Sequence, residues 1–316
     1  MPFPYVAQSN RRVATDLALL VALSALWGGS YPLIRVAVAS IPPLTLIAAR
    51  TWIAGLLLLA WIVARGIAIP CELATWRRML VQSLLNSVLP FTLIAWGEQF
   101  VSAGVATMLN SVSPVLTFIA ACGLTGEERF TPWRALGVAF GLVGVALVIG
   151  PAALGDLGGQ LLPEVAILAA TVCYAGAALY GRSFRALSPA IPAAGSMLLG
   201  AVVLTPASLL VDRPWMLAPT AGAVGALASL AVFSTALAFV IYFRLVASIG
   251  SVATTAQAYL RVPIGVGLGI VFLGESMSST AWVGLVCIVS GVAAMTASAG
   301  VTGRPAGKST IQGRLS

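Results

Sequence analysis

Apolar residues gather in ten runs along the chain, at 15–38, 44–64, 79–99, 102–122, 133–150, 162–182, 190–211, 220–243, 250–272 and 279–298. Each is close to the ~20 helical residues that cross a bilayer core. In lipid an open chain must pair its own backbone N–H and C=O groups, so each run predicts a helix. Breakers stand between them: Ile41-Pro42-Pro43, Gly150-Pro151, Ser188-Pro189 and Arg213-Pro214. The first run follows Arg11 and Arg12 and is too long for a signal-peptide core, so it is expected to stay as a helix.

The pattern occurs twice. An offset of 147 positions sets Trp27 against Tyr174, Gly29 against Gly176, Arg35 against Arg182, Glu128 against Glu275, Gly137 against Gly284 and Gly144 against Gly291. A repeat this long is a duplicated half rather than a solenoid unit. Five spans is an odd number, so the second copy must enter the membrane upside down relative to the first. The prediction is an all-α integral membrane fold of ten transmembrane helices in two inverted five-helix repeats. Its segments are a cytoplasmic N-terminal stretch (1–14), the first repeat (15–150), an outer linker (151–161), the second repeat (162–298) and a disordered cytoplasmic tail (299–316). Inverted repeats are a hallmark of secondary transporters, because the two halves can exchange conformations around a central site.

Composition sharpens this. Of 316 residues, 59% are hydrophobic and 8% charged, with mean hydropathy +1.02. Soluble proteins carry about a quarter of their residues as charges, so lipid is the solvent here. The net charge of +8 is explained by orientation rather than nucleic acid. With the N-terminus inside, the inner segments hold Arg11, Arg12, Arg65, Arg77, Arg78, Arg129, Arg134, Arg182, Arg185, Arg244, Arg304, Lys308 and Arg314, against Arg213 alone outside. The positive-inside rule then puts both termini in the cytoplasm. The chain has no histidine, which removes the commonest general base and metal ligand. Its four cysteines have no CxxC spacing, so no disulfide framework, metal site or other cofactor is expected.

Several short motifs, in order, carry a resemblance: WGGSYPLIR in the first run, Ser113-Pro114 in the fourth, GEER before the fifth, and LGE followed by Gly284 and Gly291 before and in the tenth. Over about residues 15–298 the chain resembles the EamA-type transporters of the drug/metabolite transporter superfamily. The resemblance implies a ten-helix carrier of the plasma (bacterial inner) membrane whose relatives export amino acids, metabolites or drugs. The second copy departs from it at Tyr174-Ala175, where the first has Trp27-Gly28, so the site need not be symmetric.

Candidate chemistry is sparse. Gly137, Gly141 and Gly144 share a helix face, as do Gly284 and Gly291, and small residues so spaced let helices approach closely in lipid. Pro114 and Pro263 fall in the fourth and ninth runs and would free the carbonyls of Asn110 and Tyr259. Freed carbonyls in lipid must face protein or a cavity. Asn110, Ser113 and Thr117 form one stripe; Thr254, Gln257, Ala258 and Arg261 form another. Arg261 and Arg50 lie within spans, where a cation is costly and marks either a site or a tight pair. The expected substrate-binding set is Arg261, Tyr259, Gln257, Asn110, Trp27 and Arg50, with no catalytic and no metal-ligating residue. No carboxylate lies at mid-depth, which points to facilitated diffusion or exchange, or to coupling through Glu98 near the outer mouth. The stretch GRPAGKS (303–309) is one residue short of a P-loop and has no strand before it.

The reading is a secondary carrier that exports small organic solutes, amino acids or related metabolites, by alternating access. Its partners are the solute and the lipid bilayer, not nucleic acid, with a homodimer left open. The alternatives are a non-transporting membrane scaffold or receptor, and a membrane-embedded enzyme on lipid-linked substrates. Such an enzyme usually needs a base or metal at the membrane face, whereas this chain has no histidine and its acids are dispersed.

Overall fold

Proline pairs and glycines decide where the helices begin and end. The computed structural model describes residues 4–101, 103–123, 130–155, 159–264 and 279–297, all helix, turn or irregular chain with no strand among them. The first repeat holds α1 (Pro4–Gly28), α2 (Ser30–Val38), α3 (Pro43–Ala64), α4 (Leu73–Ser83), α5 (Leu89–Gly97), α6 (Ala103–Asn110), α7 (Ser113–Gly123) and α8 (Pro132–Gly155). The second holds α9 (Leu161–Tyr180), α10 (Ala190–Ala207), α11 (Ala221–Ala231), α12 (Ala238–Ser248), α13 (Ser251–Thr255), α14 (257–264) and α15 (Ser279–Ala297). Pro42 and Pro43 start α3, their fixed φ being preorganised for a first turn. Gly66, at φ +61, ends it: its N–H bonds to Val63 and that of Ile67 to Ile62, a Schellman closure that needs a left-handed residue.

Among the described residues six helices are long and apolar enough to cross a membrane: Val13–Val38, Pro43–Ala64, Leu73–Gly97, Leu161–Phe184, Ala190–Asp212 and Ala221–Ser248. These coincide with the first, second, third, sixth, seventh and eighth apolar runs. The fourth, fifth and tenth runs contain shorter apolar helices, Ser113–Gly123, Pro132–Leu147 and Trp282–Met295. The ninth is described to residue 264. The predicted tail, Glu128 and Glu275 lie outside the described residues. Large apolar side chains such as Leu56, Leu57, Val143, Leu210 and Val286 are exposed. In water such a surface would aggregate; in a multi-pass membrane protein it is the lipid face.

Repeat-equivalent helices pack on one another. α8 lies along α15 and α3 along α10, while α1 on α12 is the counterpart of α9 on α5. The predicted glycine faces meet at the first of these contacts. A Cβ built on Gly137 would sit 2.7 Å from the carbonyl oxygen of Gly291, and one on Gly144 2.7 Å from that of Gly284. Lipid supplies no hydrophobic drive between helices, so such close approach, with its dispersion contacts, holds the pair together.

One tie between the repeats caps a helix from a distance. Asp212 accepts from the Thr45 N–H (2.7 Å) and from its hydroxyl (2.9 Å), satisfying an orphan donor in the first turn of α3. Asp212→Ala is therefore expected to lower stability by about 1–2 kcal/mol, read as a fall in melting midpoint. Asp212→Asn should recover part of it, because the amide oxygen still accepts.

Candidate functional site

Backbone irregularities build the site. The third and eighth runs each carry a single turn of π-helix, Leu84–Val88 and Val232–Leu237, at equivalent places in the two repeats. A π turn skips one i→i−4 bond and leaves backbone groups free for other partners. In the second repeat the Ser234 carbonyl is used in this way. It accepts from the Trp27 indole N–H at 2.9 Å and from Arg50 Nη2 at 3.3 Å. The Ser234 hydroxyl returns a bond to the Leu26 carbonyl (2.8 Å). In the first repeat, Ser87 donates to Asn86 Oδ1, and Asn86 Nδ2 is buried without a partner.

The fourth run is interrupted rather than kinked. α6 ends at Asn110, Ser111 and Val112 form a turn, and Pro114 is the second residue of α7 instead of lying inside a helix. Proline has no N–H to bond back to Asn110, and its ring would clash with that carbonyl, so the chain breaks before it. The ninth run breaks at Ala256, seven residues before Pro263.

These breaks and turns surround one cavity of about 50 Å³, room for roughly three or four waters. Trp27, Ser30, Tyr31, Ile34, Arg50, Asn86, Phe91, Ile94, Asn110 and Ser113 line it from the first repeat. Tyr174, Phe239, Tyr242, Thr255, Gln257 and Arg261 line it from the second. Five of the six expected binding residues meet here: Arg261, Gln257, Asn110, Trp27 and Arg50. Tyr259 does not. It is fully buried, its hydroxyl donates to the Val138 carbonyl (3.1 Å), and its ring lies against Gly141. Two residues of an α-helix turn about 200°, so Tyr259 points away from the face shared by Gln257 and Arg261. Thr117, Thr254 and Ala258, on the expected stripes, are not among the lining residues either.

Arg261 is held by its own helix and by the other repeat. Its Nε donates to Gln257 Oε1 (2.7 Å), its Nη1 to the Tyr31 hydroxyl (3.3 Å), and its guanidinium stands 5.0 Å from the Trp27 ring. Asn110 Nδ2 donates to the same Tyr31 oxygen at 2.7 Å. Asn110 and Arg261 are thus joined through Tyr31, which the sequence reading passed over although it lies four residues after Trp27 on the same helical face. Arg50 is 2% exposed, so it does not reach for the membrane surface. Its Nε bonds to Thr235 Oγ1 (2.5 Å) and its guanidinium lies 4.2 Å from the Phe91 ring. Phe239 and Tyr242 pack on Trp27 at 5.5 and 5.6 Å between ring centres. Tyr174, the counterpart of Trp27, also lines the cavity.

Among the described residues the lining holds two cations and no carboxylate. Glu98, not a lining residue, is buried with neither carboxylate oxygen hydrogen-bonded.

Comparison with known proteins agrees with this architecture. A crystal structure of another protein superposes with TM-score 0.72 at 18% identity, covering 90% of this chain and 98% of that one, a likeness of fold. The inner membrane transporter YedA of Escherichia coli is 28% identical over 286 residues, 90% of this chain and 92% of its own. The transporter YvbV of Bacillus subtilis is 28% identical over 88% of this chain and 90% of its own. A probable terminal-alkyne amino-acid exporter of Streptantibioticus cattleyicolor is 29% identical over 63% of this chain and 66% of its own. The profile of the EamA-like transporter family matches residues 16–150 and again 161–297. The chain is a membrane transporter rather than an enzyme, and it belongs to the EamA-like transporter family with the family's domain present twice.

Proposed function

We propose that the protein is a secondary carrier that exports small organic solutes, amino acids or related metabolites, by alternating access. The observation that carries this reading is the cavity. It lies between the two repeats, takes side chains from both, and concentrates polar and cationic groups inside an apolar bundle. Polar groups buried at such a cost in a membrane protein mark a substrate path. A space of about 50 Å³ is smaller than the ~300 Å³ or more of typical ligand pockets, so the halves must move apart to admit a solute. Two repeats that pack through equivalent helices suit that motion. The exporter named in Streptantibioticus cattleyicolor supports amino acids as the solute class. The test is exchange in proteoliposomes. Protein-dependent movement of at least one amino acid or related metabolite is expected, and none across a broad panel would remove the reading.

We infer further that ten spans in two inverted repeats, 15–150 and 162–298, cross the bacterial inner membrane with both termini cytoplasmic. The carriage of most Arg and Lys on one side supports it. In a background without Cys71, Cys122, Cys173 and Cys287, Ala218→Cys should react with an impermeant maleimide added to intact cells. Ala68→Cys should react only after lysis. Both positions are exposed, and the reverse result would invert the orientation.

A further inference from the structure

The two buried guanidinium groups have more donors than the protein uses. A guanidinium carries five N–H groups. Arg50 spends Nε and Nη2, Arg261 spends Nε and Nη1, and every acceptor is neutral. Among the described residues neither makes an ion pair. Arg50 Nη1 and Arg261 Nη2 have no hydrogen-bond partner among the described residues, yet neither is among the polar atoms sealed from solvent. They open onto the cavity that both side chains line.

The two cations flank a single side chain. Trp27 presents its ring to Arg261, and its N–H shares the Ser234 carbonyl with Arg50. The two open donor sets are therefore separated by about one indole. Neither cation is required by the repeat itself. The position matching Arg50 is Met197, whose sulfur lies 3.9 Å from the Ser87 hydroxyl, just as Arg50 lies on Thr235. Aligned on the two prolines, Arg261 corresponds to Val112. The same packing places are filled without charge in the other half. Glu98 stands near both Arg35 and Arg50 but hydrogen-bonds to neither.

We propose that the solute carries two carboxylate groups, one taken by Arg50 and the other by Arg261 across Trp27, as in an acidic amino acid or a small dicarboxylate. This rests on the carrier reading above and narrows it. Arginine suits the task because its planar fork meets a carboxylate through two parallel bonds, which a lysine cannot reproduce. The aromatic walls of Phe91, Tyr174 and Phe239 then cover the solute's carbon chain.

The test uses the full chain in proteoliposomes, with labelled glutamate, succinate and leucine exchanged against the same unlabelled solute. Glutamate, succinate or both should exceed leucine at least tenfold; glutamate alone assigns acidic amino acids, and both assign dicarboxylates generally. Arg50→Met and Arg261→Gln should each cut that flux by about tenfold to a hundredfold. Arg50→Lys and Arg261→Lys keep the charge for insertion and, with an unchanged melting midpoint, should still lose about tenfold. Leucine moving while neither dicarboxylate does would overturn the inference and leave the carrier standing. An equal loss for all three solutes in the lysine variants would assign both arginines to packing and overturn it as well. If none of the three moves, the inference falls, and the broader panel above decides the carrier reading separately.

Discussion

Valine in place of Gly144 should leave little folded protein. The first atom of the new side chain would stand 2.7 Å from the Gly284 carbonyl oxygen and 2.8 Å from the Ile288 amide nitrogen. Both obstacles are backbone in the middle of α15, so no side-chain rotation relieves them. The helices would have to part along a contact that spans most of both, at a cost of about 3 kcal/mol or more. That is a large share of the ~5–15 kcal/mol that holds a typical protein together. Gly222 and Gly225 provide the control, since a Cβ on either meets nothing within 4 Å. Alanine there should be neutral or stabilising by up to about 1 kcal/mol, because it removes the entropy cost of glycine in a helix. Fluorescence-detected size exclusion and melting midpoints separate the two cases. A Gly144→Val protein that elutes and melts like its parent would show that α8 and α15 are not held by this approach.

Loss of Trp27 should be nearly as damaging, and it should reach transport directly. The indole bonds to the Ser234 carbonyl, packs on Phe239 and Tyr242, and carries the Arg261 guanidinium on its face. Trp27→Ala is expected to cost about 3–5 kcal/mol through lost packing and the cavity left behind. Solute exchange should fall to background. Trp27→Phe divides the effects. The ring contacts survive, and Ser234 still accepts from Arg50, so stability should drop by only about 1 kcal/mol. Exchange by this variant should nevertheless fall several-fold, because the smaller ring no longer spans the space between the two cations. Full exchange by Trp27→Ala at normal expression would show that the cavity is not the solute path.

Part of the site was legible because its signals are local. A cation inside an apolar run is conspicuous, and Gln257 and Arg261 share a face by their spacing of four. Proline marked the fourth run correctly as irregular, although the result is a break before Pro114 and not a kink. Tyr259 departs from the expectation because a freed backbone carbonyl does not carry its side chain with it, and helical rotation sends that ring to Gly141. Tyr31 and Asn86 gave no comparable signal. Tyr31 matters because Asn110 and Arg261, 79 and 230 positions away along the chain, both donate to its hydroxyl, and Asn86 because it lines the cavity with an unpartnered Nδ2.

The amino-acid sequence by itself determined the solvent, the helical class and the duplication. The demand that every backbone group be paired in lipid leaves a run of about twenty apolar residues almost no alternative to a helix, and a copied half keeps its glycines in register. It also marked the glycine faces of the fifth and tenth runs as surfaces for close helix approach; that α8 and α15 meet through them is decided by the tertiary structure. Only the tertiary structure decided which polar groups share a cavity. Pro90 follows the π turn at Leu84–Val88 and leaves the Asn86 carbonyl without its i→i−4 donor, but the turn at Val232–Leu237 has no proline or glycine to announce it. That second turn forms where packing between helices makes it cheaper to release one backbone bond, and that choice is what gives Trp27 and Arg50 the Ser234 carbonyl as their common acceptor.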